Sequence, residues 1–196
     1  MGVRLDDQQA ITRLKRGDIG GLAALVERYQ VRAGRAAYLI TQDRLQAEDV
    51  VQAAFLRAYR SIDGFDPRRP FQPWFMRIVV NQALQSMQRA RRELSLDGAR
   101  STADDDVKTM ADWLYDPAPP PDTAVEQAEL KRQVRQALTA LAPEERAAVV
   151  MRYYLDFSER EIAEALDRPT GTVKWRLHEA RKQLRVLLGD TEAGRG

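Results

Sequence analysis

The sequence predicts an all-α chain, with two small helical domains joined by an acidic, proline-rich linker and the second domain a helix-turn-helix. Three observations carry that expectation. Apolar residues recur three and four positions apart through almost every segment, no segment sustains the two-residue alternation of a half-buried strand, and the composition changes abruptly after Arg92. With 196 residues and 44% hydrophobic content, there is enough chain for two domains of roughly 70 to 80 residues, each with its own core.

In chain order, 7–16 places Ala10, Ile11 and Leu14 on one helical face, and Gly17 is a natural stop. A longer helix over 22–40 carries Leu22, Leu25, Val26, Tyr29, Ala33, Ala37 and Ile40. The next, over 46–60, turns Val50, Val51, Ala54, Phe55, Ala58 and Tyr59 inward and leaves Asp49, Gln52 and Arg57 less buried. A fourth helix starts near Phe71, with Phe75, Ile78 and Val79 in the core and Trp74 at its edge.

Residues 93–122 form the expected linker. Acids outnumber bases heavily there, and Pro117, Pro119, Pro120 and Pro121 remove donors and stiffen the chain, so no packed core can form from this stretch alone. Met110, Trp113, Leu114 and Tyr115 interrupt it as a candidate docking group, and the acids 104–106 read as solvated charge rather than a cation site. Helical spacing resumes near Thr123, with Val125, Ala128, Leu130, Val134, Leu138 and Leu141 on one face. Pro143 suits a first helical position, with Glu144 and Glu145 complementing that helix's N-terminus. Ser158 and Glu161 have the spacing of a capping box. The short helix they open carries Ile162, Ala163 and Leu166 inward and breaks at Asp167-Arg168-Pro169, and a last helix opens at Thr170 with Val173, Leu177, Ala180, Leu184 and Leu187 on one side. The segment 189–196 reads as a tail.

Composition excludes several function classes. There is no Cys, hence no disulfide and no thiolate metal site, and His178 is the single histidine, without a second ligand beside it. No apolar run approaches the ~18 residues of a membrane span, and the first residues lack both a signal-peptide core and a myristoylation pattern. A soluble intracellular protein with no membrane insertion, no metal and no cofactor is therefore expected. No nucleophile, paired acid and base, or phosphate-binding loop stands out, so no catalytic residues are assigned.

Charge is distributed unevenly. The net formal charge is only +2, yet 65–92 holds Arg68, Arg69, Arg77, Arg89, Arg91 and Arg92 with no acid beyond Asp66. Such a field attracts polyanions. The prolines at 67 and 70 make a loop in front of the helix, and a basic loop beside aromatic and amide side chains suits unpaired bases, which stack on flat rings and pair with Asn. In the second half, two short helices and a tight turn match a helix-turn-helix. Its second helix offers Thr172, Lys174, Trp175, Arg176, His178, Arg181 and Lys182 to a major groove, with Glu179 the one acid among them. An autonomous repressor, with the first half dimerising or sensing a ligand, is compatible with these residues, as is an adaptor binding acidic proteins.

The segments AEDVVQAAFLRAYRSIDGF at 47–65, PFQPWFMRIVVNQA at 70–83 and LAPEERAAVVMRYYLDFSEREIAEALDRPTGTVKWRLHEARKQLR at 141–185 together resemble an extracytoplasmic-function sigma factor of the sigma-70 family. The resemblance implies a bacterial initiation subunit for a stress- or envelope-type regulon: 1–92 as region 2, for polymerase binding and minus-ten melting, and 123–188 as region 4, for the minus-thirty-five element. It implies that Asp49, Gln52, Phe55, Leu56 and Tyr59 face a coiled coil of the polymerase largest subunit, and that region 4 meets the flap of the second-largest subunit. It assigns Arg68, Arg69, Phe71, Trp74, Arg77, Asn81 and Arg89 to minus-ten DNA, with the 65–71 loop and Asn81 forming a pocket for a flipped base, and 159–178 to the upstream duplex. Trp175 stands where a small hydroxyl residue is frequent and Glu179 where Arg is frequent, so the usual upstream element is not implied. Promoter DNA, the polymerase core and an anti-sigma factor are the implied partners, with the linker threading toward the RNA exit path.

Overall fold

Asp6 and Gln9 cap each other's backbone N–H at 2.8 and 3.1 Å, and this reciprocal pair opens α1 (Asp7–Lys15). Gly17 then takes φ +81°, which favours glycine, and Asp18 accepts from the Gly20 N–H at 2.8 Å to start α2 (Ile19–Thr41). That N–H and, after it, the Arg13 guanidinium hold the Asp18 carboxyl below its ordinary pKa. The two helices cross at Gly21, where a methyl group would lie 2.3 Å from the Ala10 carbonyl oxygen. Gln42 in the left-handed region ends α2, Asp43 caps α3 (Arg44–Ser61), and a 3₁₀ turn (Ile62–Gly64) leads to the loop before α4 (Phe71–Asp97).

These helices enclose a ring cluster. Phe71 and Phe75 stack at 5.6 Å between centroids, Phe55 lies 4.5 Å from Phe75, and Tyr29 lies 5.4 Å from Phe71. Around it close Leu25, Ile40, Val50, Val79 and Val80, and Met76, which the helical spacing left unremarked, is buried with them. Tyr59, expected inside, is 40% exposed instead. It sits one turn from Phe55 on the exposed flank of α3.

The computed structural model describes residues 5–97 and 121–193, with side chains for 5–93 and 128–189. The acidic run 104–106 and the apolar group 110–115 lie outside the described residues. α4 runs to Asp97, five residues past Arg92, where the sequence placed the domain edge. The second half is α5 (Pro121–Thr139), α6 (Pro143–Tyr153), α7 (Glu159–Leu166) and α8 (Thr170–Ala193). Pro143 is the first residue of α6, and the Glu145 carboxylate accepts from the Ala142 N–H at 3.1 Å. Ser158 and Glu161 form the expected capping box, which holds the Glu161 carboxyl below its usual pKa, and Asp167 at φ 51° ends α7. Ala128, Leu130, Val134 and Leu187 lie exposed rather than inward.

The halves are not separate. α6 packs on α2 and α4, α7 touches α4, and one hydrophobic cluster runs through both. Arg146, 5% exposed, bridges them: its guanidinium donates to the carbonyls of Ile40 at 2.8 Å, Thr139 at 3.1 Å and Leu141 at 3.0 Å. Burial lowers its pKa. Arg32 reaches the Tyr154 carbonyl at 3.2 Å and Asp156 at 3.6 Å, and Arg135 donates to the Tyr38 hydroxyl at 3.1 Å.

Candidate nucleic-acid interface

The first face is built on the loop and the exposed stripe of α4. At the loop, Asp66 accepts from the Arg68 N–H at 3.0 Å and holds the Arg68 guanidinium through both carboxylate oxygens. The Arg69 N–H bonds the Asp66 carbonyl at 3.0 Å, which closes the turn. The Arg68 side chain beside it lowers the Asp66 pKa to about 2, with the Arg68 backbone N–H next in effect. Arg68 is therefore exposed but partly neutralised, whereas Arg69 is exposed and makes no ion pair with a carboxylate among the described residues, although its charge also acts on Asp66. Behind the loop, Trp74, Arg77 and Asn81 follow one another at helical spacing, each half-buried. Trp74 is propped at 4.7 Å by Phe65 and at 5.5 Å by Phe71. The Asn81 amide makes no side-chain hydrogen bond among the described residues, so its donors and acceptor face outward unclaimed. Arg89 is exposed two turns on and off that stripe.

Two of the assigned residues do not belong to a surface. Phe71 is 2% exposed at the centre of the ring cluster, so it props Trp74 and offers no face to a base. Phe55 is 7% exposed against Phe75, and what α3 presents outward is Asp49, Gln52, Leu56 and Tyr59, with Leu56 53% exposed. Helical phase carried both corrections in advance: Phe71 and Phe75 are four apart, as are Val51 and Phe55, and each pair shares a buried stripe.

The second face is the outer side of α8. Lys174, Trp175, His178, Arg181 and Lys182 are exposed, Trp175 by 60%, and Thr172 is half-buried at the helix start. Arg176 departs from the expectation of a groove contact, since its side chain is only 15% exposed and ion-paired with Glu144 of α6. It braces α8 against α6, and Arg168 approaches the same carboxylate at 3.7 Å. Lys174 lies 3.9 Å from Glu159 of α7, an exposed pair that salt weakens. Between the two faces, Arg77 of α4 pairs with Glu164 of α7 at 3.4 Å, a contact no local sequence signal announces. Lys15 and Arg146 were likewise missed, because their partners are backbone carbonyls far away in the chain.

A helical module with a basic, aromatic and amide face, fused to a helix-turn-helix with a basic second helix, defines the class: an all-α protein with two basic surfaces suited to nucleic acid. Comparison with known proteins narrows it. The family model "Sigma-70 region 2" matches residues 25–93, and "Sigma-70, region 4" matches 131–184. The ECF RNA polymerase sigma factor SigW of Bacillus subtilis (strain 168) is 32% identical over 183 residues, covering 93% of this chain and 97% of that protein. Among solved structures, CnrH in complex with the cytosolic domain of CnrY superposes with a TM-score of 0.61 at 25% identity, over 94% of this chain and 97% of that one. The sigma factor RpoE bound to the anti-sigma factor NepR from Bartonella quintana shares the fold at a TM-score of 0.60 and 23% identity, over 83% and 94%. The chain belongs to the extracytoplasmic-function sigma factors of the sigma-70 family. It is an RNA polymerase sigma factor, a transcription initiation factor and not an enzyme. No helix among the described residues is long and apolar enough to cross a membrane.

Proposed function

We propose that the α4 stripe and the 66–70 loop capture unpaired bases of the minus-ten element while the outer side of α8 holds the upstream duplex. The observation that carries this reading is the row Trp74, Arg77, Asn81, a ring, a cation and an unclaimed amide on one half-exposed stripe beside Arg69. Opening a base from the duplex costs a few kcal/mol, and stacking returns roughly 1 to 3 kcal/mol per base, so capture succeeds only for a protein held in register. The polymerase core supplies that register through Asp49, Gln52, Leu56 and Tyr59, which meet the largest-subunit coiled coil, and through region 4 on the flap of the second-largest subunit. Lys174, His178, Arg181 and Lys182 bind phosphates and base edges in the major groove, and Trp175 provides an apolar contact there. The protein works in the cytoplasm, and an anti-sigma factor is its natural inhibitor.

Permanganate reactivity of thymines in a promoter bound by holoenzyme tests the assignment. Asn81→Ala is expected to abolish reactivity in the minus-ten region while leaving polymerase affinity within twofold. Equal loss of both would remove Asn81 from base capture.

A further inference from the structure

We propose that Lys15, at the end of α1, is a positioning residue for base capture, because it fastens the turn from which the 66–70 loop springs. The inference rests on the reading of α4 and its loop given above, and it brings in an element, α1, that carries no nucleic-acid contact of its own.

Lys15 Nζ donates to the Asp63 carbonyl at 3.0 Å and to the Phe65 carbonyl at 2.7 Å. Both oxygens lie at the C-terminal end of the 3₁₀ turn (Ile62–Gly64), where carbonyls lack helical partners and the local dipole favours a cation. Lys15 is half-buried, and its ammonium bridges α1 and the turn. Phe65 is thereby held on two sides. Its carbonyl takes the Lys15 ammonium, and its ring, 4% exposed, packs 4.7 Å from Trp74 and 5.8 Å from Phe71. The next residue is Asp66, whose carboxylate and carbonyl define the path of Arg68 and Arg69.

The other end of the fastening is rigid as well. α1 lies backbone to backbone on α2 at Gly21, and Arg13 ties the α1–α2 corner by donating to Asp18 at 2.7 Å. Lys15 thus transmits the position of a fixed helix to the origin of the loop. Ile62 and the Phe65 ring anchor the turn in the core. Without the ammonium the carbonyls of Asp63 and Phe65 lose their tie to α1, which frees the loop to shift relative to Trp74 and Asn81. Small misplacements of binding groups cost large factors in rate.

The test uses holoenzyme assembled from purified core polymerase and the full chain, on a promoter the wild-type factor opens. Lys15→Met keeps the aliphatic stem and removes the donors, whereas Lys15→Arg keeps charge and donors. Open-complex formation by Lys15→Met is expected to be about tenfold slower, with polymerase affinity and the upstream footprint within twofold of wild type and with most of the rate restored in Lys15→Arg. A wild-type rate in Lys15→Met would overturn the proposal, and so would a matching loss of polymerase affinity, which would assign the lysine to folding alone. Asn81→Ala in the same assay separates the two layers. If it too opens at the wild-type rate, the base-capture reading itself fails; if it alone is slow, only the role of Lys15 fails.

Discussion

Asp66 governs how much positive charge the loop shows to a polyanion. Its carboxylate engages Arg68 on both oxygens, so Asp66→Asn should raise the affinity of holoenzyme for single-stranded minus-ten DNA and steepen its salt dependence, read from titrations at several salt concentrations. The pH response follows from the depressed pKa of about 2. The contribution of the ionised group is present above the ordinary carboxylate range and disappears as pH falls through the folded value, so base capture should be flat from neutral pH to about pH 5. Trp175 is a second residue with a readable consequence. An exposed ring amid cations finds one apolar partner in the major groove, the thymine methyl. Replacing thymine by uracil in the upstream element should cost about 1 kcal/mol per contacted methyl in the wild type and nothing in Trp175→Ala, measured by competition binding of holoenzyme. Phe71 illustrates the opposite case. Truncating it to Ala should lower stability by about 3 to 5 kcal/mol in thermal or denaturant unfolding, where Asn81→Ala should change it by less than about 1 kcal/mol.

Among the elements, those with strong local chemistry were legible from the chain alone. The box at Ser158 and Glu161, the proline opening α6 and the break after Asp167 all stand where their residues put them, since caps and turns depend on neighbours a few positions apart. Helical phase was legible too, but the family resemblance assigns Phe71 to DNA together with the 65–71 loop, whereas its phase with Phe75 puts it in the core. What the chain did not disclose were pairings over long separations: Lys15 with the 3₁₀ turn, Arg176 with Glu144, and the crossing at Gly21. That crossing carries a prediction. With a carbonyl oxygen 2.3 Å and an amide nitrogen 2.8 Å from where a methyl would sit, Gly21→Ala must push α1 off α2. Unfolding should become easier by roughly 1 to 3 kcal/mol, and the melting profile of the chain would report it.

At the scale of the molecule, the two proposed recognition faces are packed together, and the proposed reading of the promoter requires them to part. Elements at minus ten and minus thirty-five lie about 25 base pairs, or about 85 Å, apart along a duplex rising ~3.4 Å per pair, yet Arg77 on one face is ion-paired with Glu164 beside the other. On the proposed reading the pair parts before Arg77 meets a phosphate, and the Arg146 bond to the Ile40 carbonyl breaks with it, while those to Thr139 and Leu141 stay within the second half. Arg146→Ala would leave the Ile40 carbonyl without its donor from the other half and favour separation. Because the chain has no cysteine, dyes placed through Ser61→Cys and Gln183→Cys would report it as a fall in energy transfer, larger still when core polymerase is added. The central claim is that this chain gives a polymerase its promoters by trapping bases on α4 and gripping duplex on α8. Run-off transcription from fragmented genomic DNA with purified core polymerase tests it most directly. A discrete set of new transcripts should arise only when the chain is added, and should vanish with Asn81→Ala despite intact polymerase binding. An unchanged transcript set, from a chain that instead selects DNA sites without any polymerase, would contradict it.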